Sequence, residues 1–201
     1  MKKLIISILL VILLIGMTSC GNKTAEKDIT TDFKNSIFVG DSITEGFAFN
    51  EILPEESVIA GAGATAGFTL DDIDDLLEKK PDKVFIMFGS IDILMPVDDP
   101  EELFRNDLRK LLNRIKEDQP DSKVYLQSIT PVTEDALKEE PRYKELDEYN
   151  KIVKDVANKL SVQYVDLRPL VEKNPDLYAE DGIHFKKGFY LLWLEELSKL
   201  I

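Results

Sequence analysis

The chain has 201 residues, 44% of them hydrophobic, which suffices for one domain of ordinary size with its own core. Its 38 acidic and 25 basic side chains give a net charge of −13, which argues against nucleic acid or a polyanion as partner. A single cysteine and a single histidine provide neither a disulfide framework nor a transition-metal cluster, and no cofactor or metal is expected.

The first twenty residues stand apart. Lys2 and Lys3 precede an apolar run from Leu4 to Ile15, too short to span a bilayer comfortably. Gly16-Met17-Thr18-Ser19-Cys20 follows, and small residues before a lone cysteine resemble the lipobox of bacterial lipoproteins. That resemblance implies a signal peptide over residues 1–19, cleavage before Cys20 and lipid on the Cys20 thiol. An uncleaved anchor is the alternative, and it leaves the domain on the same extracytoplasmic face of the cell membrane. Residues 20–34 hold the lipidated cysteine and then a polar stretch without apolar period, which reads as a flexible tether. Residues 35–201 read as one domain. Its acidity would repel an anionic membrane surface, so the lipid carries the attachment.

Short apolar runs then alternate with helical patterns. Ser36–Val39 is the first strand, ending at Gly40-Asp41-Ser42. Ile43, Phe47, Phe49, Ile52 and Leu53 can share one side of a following helix. Ser57–Ala60 is a second strand leading into Gly61-Ala62-Gly63. Thr69 is expected to cap the next helix, which Pro81 ends. Lys83–Phe88 is the most apolar strand and therefore the expected centre of the sheet. Asp99 and Pro100 open a helix whose buried stripe runs from Leu103 to Ile115. Lys123–Gln127 is a fourth strand, and Ile129–Pro141 reads as a loop. Leu146 to Leu160 repeats apolar residues at helical spacing, Val162–Val165 is a fifth strand, and Gly188–Ile201 is a closing helix. Strand and helix in alternation imply an α/β fold: a five-stranded parallel sheet with helices on both faces. Ligands of such sheets bind at the carboxyl ends of the strands. The residues after strands one, two and three should therefore share one rim.

Ser42 sits where a strand gives way to a helix, beside backbone N–H groups with no partner. Asp-Ser there is equally an ordinary helix cap. His184, the only histidine, lies in Asp181-Gly182-Ile183-His184, a loop before the last helix. A serine hydroxyl needs a base to become a nucleophile, an imidazole can serve, and a carboxylate on its other nitrogen fixes the tautomer. The G-x-S-x-G elbow of the lipases is absent.

Phe38-Val39-Gly40-Asp41-Ser42-Ile43-Thr44, the glycine-rich turn after strand two and Asp181-Gly182-Ile183-His184 together resemble the GDSL, or SGNH, hydrolases over essentially Ser36 to Ile201. The resemblance implies a flavodoxin-like three-layer α/β/α sandwich and hydrolysis of esters or thioesters through an acyl-serine. Ser42 would be nucleophile, His184 base and Asp181 its orienting acid. The backbone N–H groups of Ser42 and of Gly63, or alternatively Gly61, would bind the oxyanion. The family's third motif, Gly-x-Asn-Asp, reads here Gly89-Ser90-Ile91-Asp92, and Ile91 cannot donate as the asparagine would. Ser90 is a candidate substitute donor, whereas Asp92 is expected to bond nearby backbone N–H groups.

Phe47, Phe49, Met95 and Tyr178 either line an acyl pocket or pack ordinarily, and Trp193 is assigned to the core. The Ile129–Pro141 loop either hangs over the site or is a plain surface connection. The reading reached is an extracytoplasmic serine esterase acting on small acyl esters, such as acetyl groups on carbohydrate, or on lysophospholipid. The alternative is a weakened relative that binds a glycan or lipid without cleaving it. Oligomeric state is not legible.

Overall fold

The computed structural model describes residues 28–201; residues 1–27, with the signal peptide, Cys20 and most of the expected tether, lie outside the described residues. Five strands form one parallel sheet: β1 (Ser36–Gly40), β2 (Val58–Ala60), β3 (Lys83–Met87), β4 (Lys123–Gln127) and β5 (Gln163–Val165). Their order is β2-β1-β3-β4-β5, with β3 at the centre as expected. Among the described residues eight α-helices connect and cover them: α1 (Ser42–Phe49), α2 (Ala66–Asp72), α3 (Asp74–Lys79), α4 (Pro100–Asp118), α5 (Glu134–Glu139), α6 (Leu146–Leu160), α7 (Arg168–Lys173) and α8 (Lys187–Ser198). Among the described residues no helix is long and apolar enough to cross a membrane, and no group of three or more His, Cys, Asp or Glu is arranged to hold a metal ion.

Alternating strand positions split the core into two chemically different layers. Ile37, Val39, Val84, Ile86, Val124 and Leu126 face α2, α4 and α6, and form an aliphatic layer with Leu108, Leu111 and Leu112. Phe38, Phe85 and Tyr125 face the other way and pack with α1, α7 and α8. These three rings are register partners on β1, β3 and β4 and stack in a row, with centroids 4.8 Å and 4.7 Å apart. Phe47, Phe189, Tyr190 and Trp193 extend this aromatic layer. Trp193 is fully buried, and its indole N–H donates to Gln127 Oε1 at 2.7 Å. Burial on both faces explains why the strands read as continuous apolar runs.

Three local expectations are corrected. Helix α2 starts at Ala66, capped by Thr65, whose hydroxyl accepts the Phe68 N–H; Thr69 lies inside the helix. The segment 129–141 contains α5, capped by Thr133 with Glu134 and Asp135 in its first turn. Phe49, expected on the buried side of α1, is 86% exposed, while Ile43 and Phe47 are buried.

Candidate active site

Asp41 is the N-cap of α1, its Oδ1 accepting the Ile43 N–H at 3.0 Å, and Ser42 is the first residue of the helix. The cap reading and the nucleophile reading of Asp-Ser are therefore not rivals: one residue caps, the next presents its hydroxyl. Ser42 Oγ lies 2.8 Å from His184 Nε2, and His184 Nδ1 lies 2.6 Å from Asp181 Oδ2. Asp181 Oδ1 accepts the N–H groups of Ile183 and His184, each at 2.9 Å. Burial pushes the Asp181 carboxyl up, but those two N–H groups and the imidazole together hold it below the usual value.

The turn that carries Asp181 and His184 is fixed from outside. Gly182 has φ +69°, and its carbonyl accepts the Thr133 N–H at 2.9 Å. A Cβ on Gly182 would meet Thr133 Oγ1 at 1.9 Å. The Tyr178 hydroxyl donates to Pro131 O at 2.7 Å, and its ring stacks on Phe185. Segment 129–141 thus buttresses the histidine turn.

Ser42 and His184 open onto a cavity of about 680 Å³ walled by Gly63, Ile91, Phe49, Phe185 and Tyr190, with Glu45 and Asn50 on the α1 side. It lies between the ends of β1 and β3, where the strand order reverses. The three loops after β1, β2 and β3 all contribute to it, as the common-rim expectation required. Ser42, as the first helical residue, has an N–H without an intrahelical partner. Gly63 has φ +80°, and no described group accepts its N–H. Gly61 does not line the cavity and spends its carbonyl on Ala64 N–H.

Ser90 does not supply the missing donor. It is buried, does not line the cavity, and donates its hydroxyl to Asp41 Oδ2. Asp92 Oδ1 accepts the Ala66 N–H at 3.0 Å, as expected of a carboxylate that bonds backbone. Burial raises the Asp41 carboxyl despite the Ser90 hydroxyl; burial, with Asp41 nearby, pushes Asp92 up to about 7. Of the four residues named for an acyl pocket, Phe49 lines the cavity, Phe47 is core, Met95 lines a different cavity and Tyr178 braces the histidine turn. Tyr190 and Phe185 were missed: Tyr190 lies in α8, whose helical pattern reads as core, whereas Phe185 follows His184 in the turn before α8, and its place beside the motif was the available signal.

A family model described as the GDSL-like lipase/acylhydrolase family matches residues 38–190. The chain belongs to this family. No curated protein matches the chain. Many solved structures of GDSL-type proteins share its fold. A GDSL-like lipase from Bacteroides thetaiotaomicron has a TM-score of 0.67 at 20% identity, over 83% of this chain and 88% of that one. A lipase/acylhydrolase from Enterococcus faecalis has 0.65 at 22%, over 83% and 95%. A catalytic mutant of an acetylxylan esterase from Geobacillus stearothermophilus has 0.60 at 19%, over 81% and 91%. The five-stranded α/β/α sandwich is thus the fold of GDSL-like hydrolases, and the departure at Ile91 lies inside the rim that this GDSL-like domain builds.

Proposed function

We propose that this GDSL-like domain is a serine ester hydrolase working through an acyl-Ser42 intermediate. The observation that carries the reading is the unbroken relay from Asp181 through His184 to Ser42 Oγ at the lip of a largely apolar cavity. His184 Nε2 takes the hydroxyl proton as Ser42 attacks the ester carbonyl, then returns it to the departing alcohol. Asp181 holds the Nδ1 proton and stabilises the imidazolium. Water, activated by the same imidazole, releases the acyl group. The N–H groups of Ser42 and Gly63 face the developing oxyanion; Ile91 adds none. Losing one such donor typically costs about 2.7–4 kcal/mol, so turnover is expected to be slow beside an enzyme with three donors.

The substrate proposed is a small acyl ester, acetyl on carbohydrate by preference, with lysophospholipid as the second class. The preference for a carbohydrate ester rests on the sequence of the domain, residues 35–201, in which no long apolar lid or groove is visible. Export and attachment through lipidated Cys20 to the extracytoplasmic face complete the proposal, motivated by the lipobox-like segment. The test is hydrolysis of p-nitrophenyl acetate and butyrate by the full chain. Wild type should exceed Ser42→Ala by at least about a thousandfold in kcat; equal, slow rates for both overturn the enzyme reading.

Ile91 favours a second reading, a protein that holds a glycan or lipid ester without cleaving it. A fluorophosphonate separates the two. Stoichiometric labelling of Ser42 supports the hydrolase, and ligand binding without labelling supports the binder.

A further inference from the structure

Helix α1 turns more than the nucleophile toward the catalytic cavity. Ser42, Glu45 and Phe49, spaced i, i+3 and i+7, follow one face of the helix, and all three line that cavity. Gly46 lies on the same face and raises no side chain there; a Cβ on it would meet Tyr190 Oη at 1.8 Å. Phe49 is the most exposed large hydrophobic side chain among the described residues. A lone exposed apolar side chain is ordinary on a protein surface. What sets Phe49 apart is its place, seven residues along the helix from Ser42 and on the wall of the same cavity. Phe49 and Glu45 also line a second hollow, of about 490 Å³, bounded by Glu51, Glu55 and the edge strand β2, so the two spaces meet at the Phe49 ring. Among the described residues, neither space is lined by Lys or Arg. The carboxylates of Glu45, Glu51 and Glu55 have no hydrogen-bond or ion-pair partner among the described residues.

We propose, resting on the hydrolase reading, that this face of α1 is the subsite for the alcohol half of the ester, and that the alcohol is an uncharged sugar. A small acyl group fills only the part of the cavity next to Ser42, so the space in front of Phe49 falls to the alcohol. A sugar ring has a face of C–H groups and an edge of hydroxyls. The C–H face lies on the Phe49 ring, and the hydroxyls donate to the Glu45 carboxylate. Phe49 touches the substrate and takes no part in bond making; it sets which alcohol is accepted. Glu45, Glu51 and Glu55 give the open end of the subsite a negative potential with no cation lining it to offset it. An anionic alcohol is therefore repelled, the glycerophosphate of a lysophospholipid included. The same face of α1 thus divides the two substrate classes, favouring the sugar ester and rejecting the phosphorylated one.

The probe is 6-O-acetylglucose, with acetate release measured on the full chain. Phe49→Ala should raise KM by about tenfold or more and change kcat by less than about threefold. Relative to ethyl acetate, which has no ring to stack, kcat/KM for the sugar ester should fall about tenfold in this variant, and Phe49→Tyr should recover most of the loss. The phosphorylated counterpart, 6-O-acetylglucose 1-phosphate, should be used at least about tenfold less efficiently than the uncharged ester, and Glu45→Gln should narrow that gap. Calorimetric titration of 6-O-acetylglucose into Ser42→Ala reads the same subsite without turnover. Saturable binding there, weakened about tenfold by adding Phe49→Ala, supports the subsite even if wild type and Ser42→Ala release acetate equally slowly, the result that overturns the hydrolase reading. The subsite is overturned if Phe49→Ala leaves both KM and Kd for the sugar ester unchanged, or if the phosphorylated ester is taken as well as the uncharged one. Unchanged sugar kinetics together with weaker attachment of Phe49→Ala to phosphatidylcholine vesicles would make the ring a membrane contact instead.

Discussion

At the scale of single residues, two buried acids tie the rim together. Asp41 caps α1 and receives the Ser90 hydroxyl, joining the loop after β1 to the loop after β3. Asp92 receives the Ala66 N–H, joining the loop after β3 to the start of α2. The Asp41 cap was legible, because an acid before a helical run is a local signal. The Ser90 bond was not, because its partner lies 49 positions away and no local pattern records it. Asp92 also titrates abnormally. Its carboxyl stands near 7 in the fold against 3.8 when exposed, so the folded state binds the proton more tightly. The Asp92 contribution to stability is therefore present in full where the carboxyl is protonated and is lost as pH rises from about 3.8 through about 7, by an amount on the order of 4 kcal/mol. Melting temperature measured from pH 5 to pH 8 should decline in wild type, and Asp92→Asn should flatten that decline. At the neighbouring position, Ile91→Asn restores a side-chain donor to the oxyanion region. Its kcat toward p-nitrophenyl acetate should rise by about tenfold or more; a fall would mean that Ile91 packs against substrate instead.

At the scale of elements, the misread helix start is instructive. Thr65 and Thr69 are one helical turn apart, and both precede apolar residues, so the periodicity admits either as cap. Asp92 decides it from 26 positions away by holding the Ala66 N–H at the first turn. The α5 segment was misread for a different reason. Pro131 and Pro141 frame it and suggest a loop, although Thr133 followed by two acids is a sound helix start. What α5 does is brace the histidine turn through Thr133. Gly182→Ala tests this brace. An L-residue at φ +69° costs about 1–2 kcal/mol, and the added methyl collides with Thr133 Oγ1. Esterase kcat should fall by about a hundredfold or more, because small displacements of catalytic groups carry penalties of that size, while circular dichroism still reports a folded domain. Equal loss of fold and activity would show that the turn serves stability alone.

At the scale of the molecule, the alternation of strands and helices was enough to give the parallel sheet, its centre and the rim. The inner strands β1, β3 and β4 are buried on both faces over nearly their whole length, so their apolar character survives as an almost uninterrupted run. The split into an aliphatic and an aromatic layer was present in the same runs, in the offset of Phe38, Phe85 and Tyr125 from their aliphatic neighbours, but their register across strands is fixed only by the fold. Phe85 is stacked on both sides by Phe38 and Tyr125. Phe85→Ala should lower unfolding free energy by about 3–5 kcal/mol in urea titration. Trp193 fluorescence, which reads the aromatic layer, and far-ultraviolet dichroism, which reads the helices on both faces, should move through one shared transition; separated midpoints would show that the two layers melt independently.

The hydroxyl and the imidazole that answer to each other across 2.8 Å are 142 positions apart in the chain. A ribosome delivers Ser42 early and His184 only with the closing segment, so a partly synthesised chain carries its hydroxyl without a base. Chemical competence is therefore conferred last, by the docking of the same α8 that seals the aromatic layer. The proposed ester cleavage would therefore report that both ends of the sheet's rim, the loop after β1 and the turn before α8, have packed together.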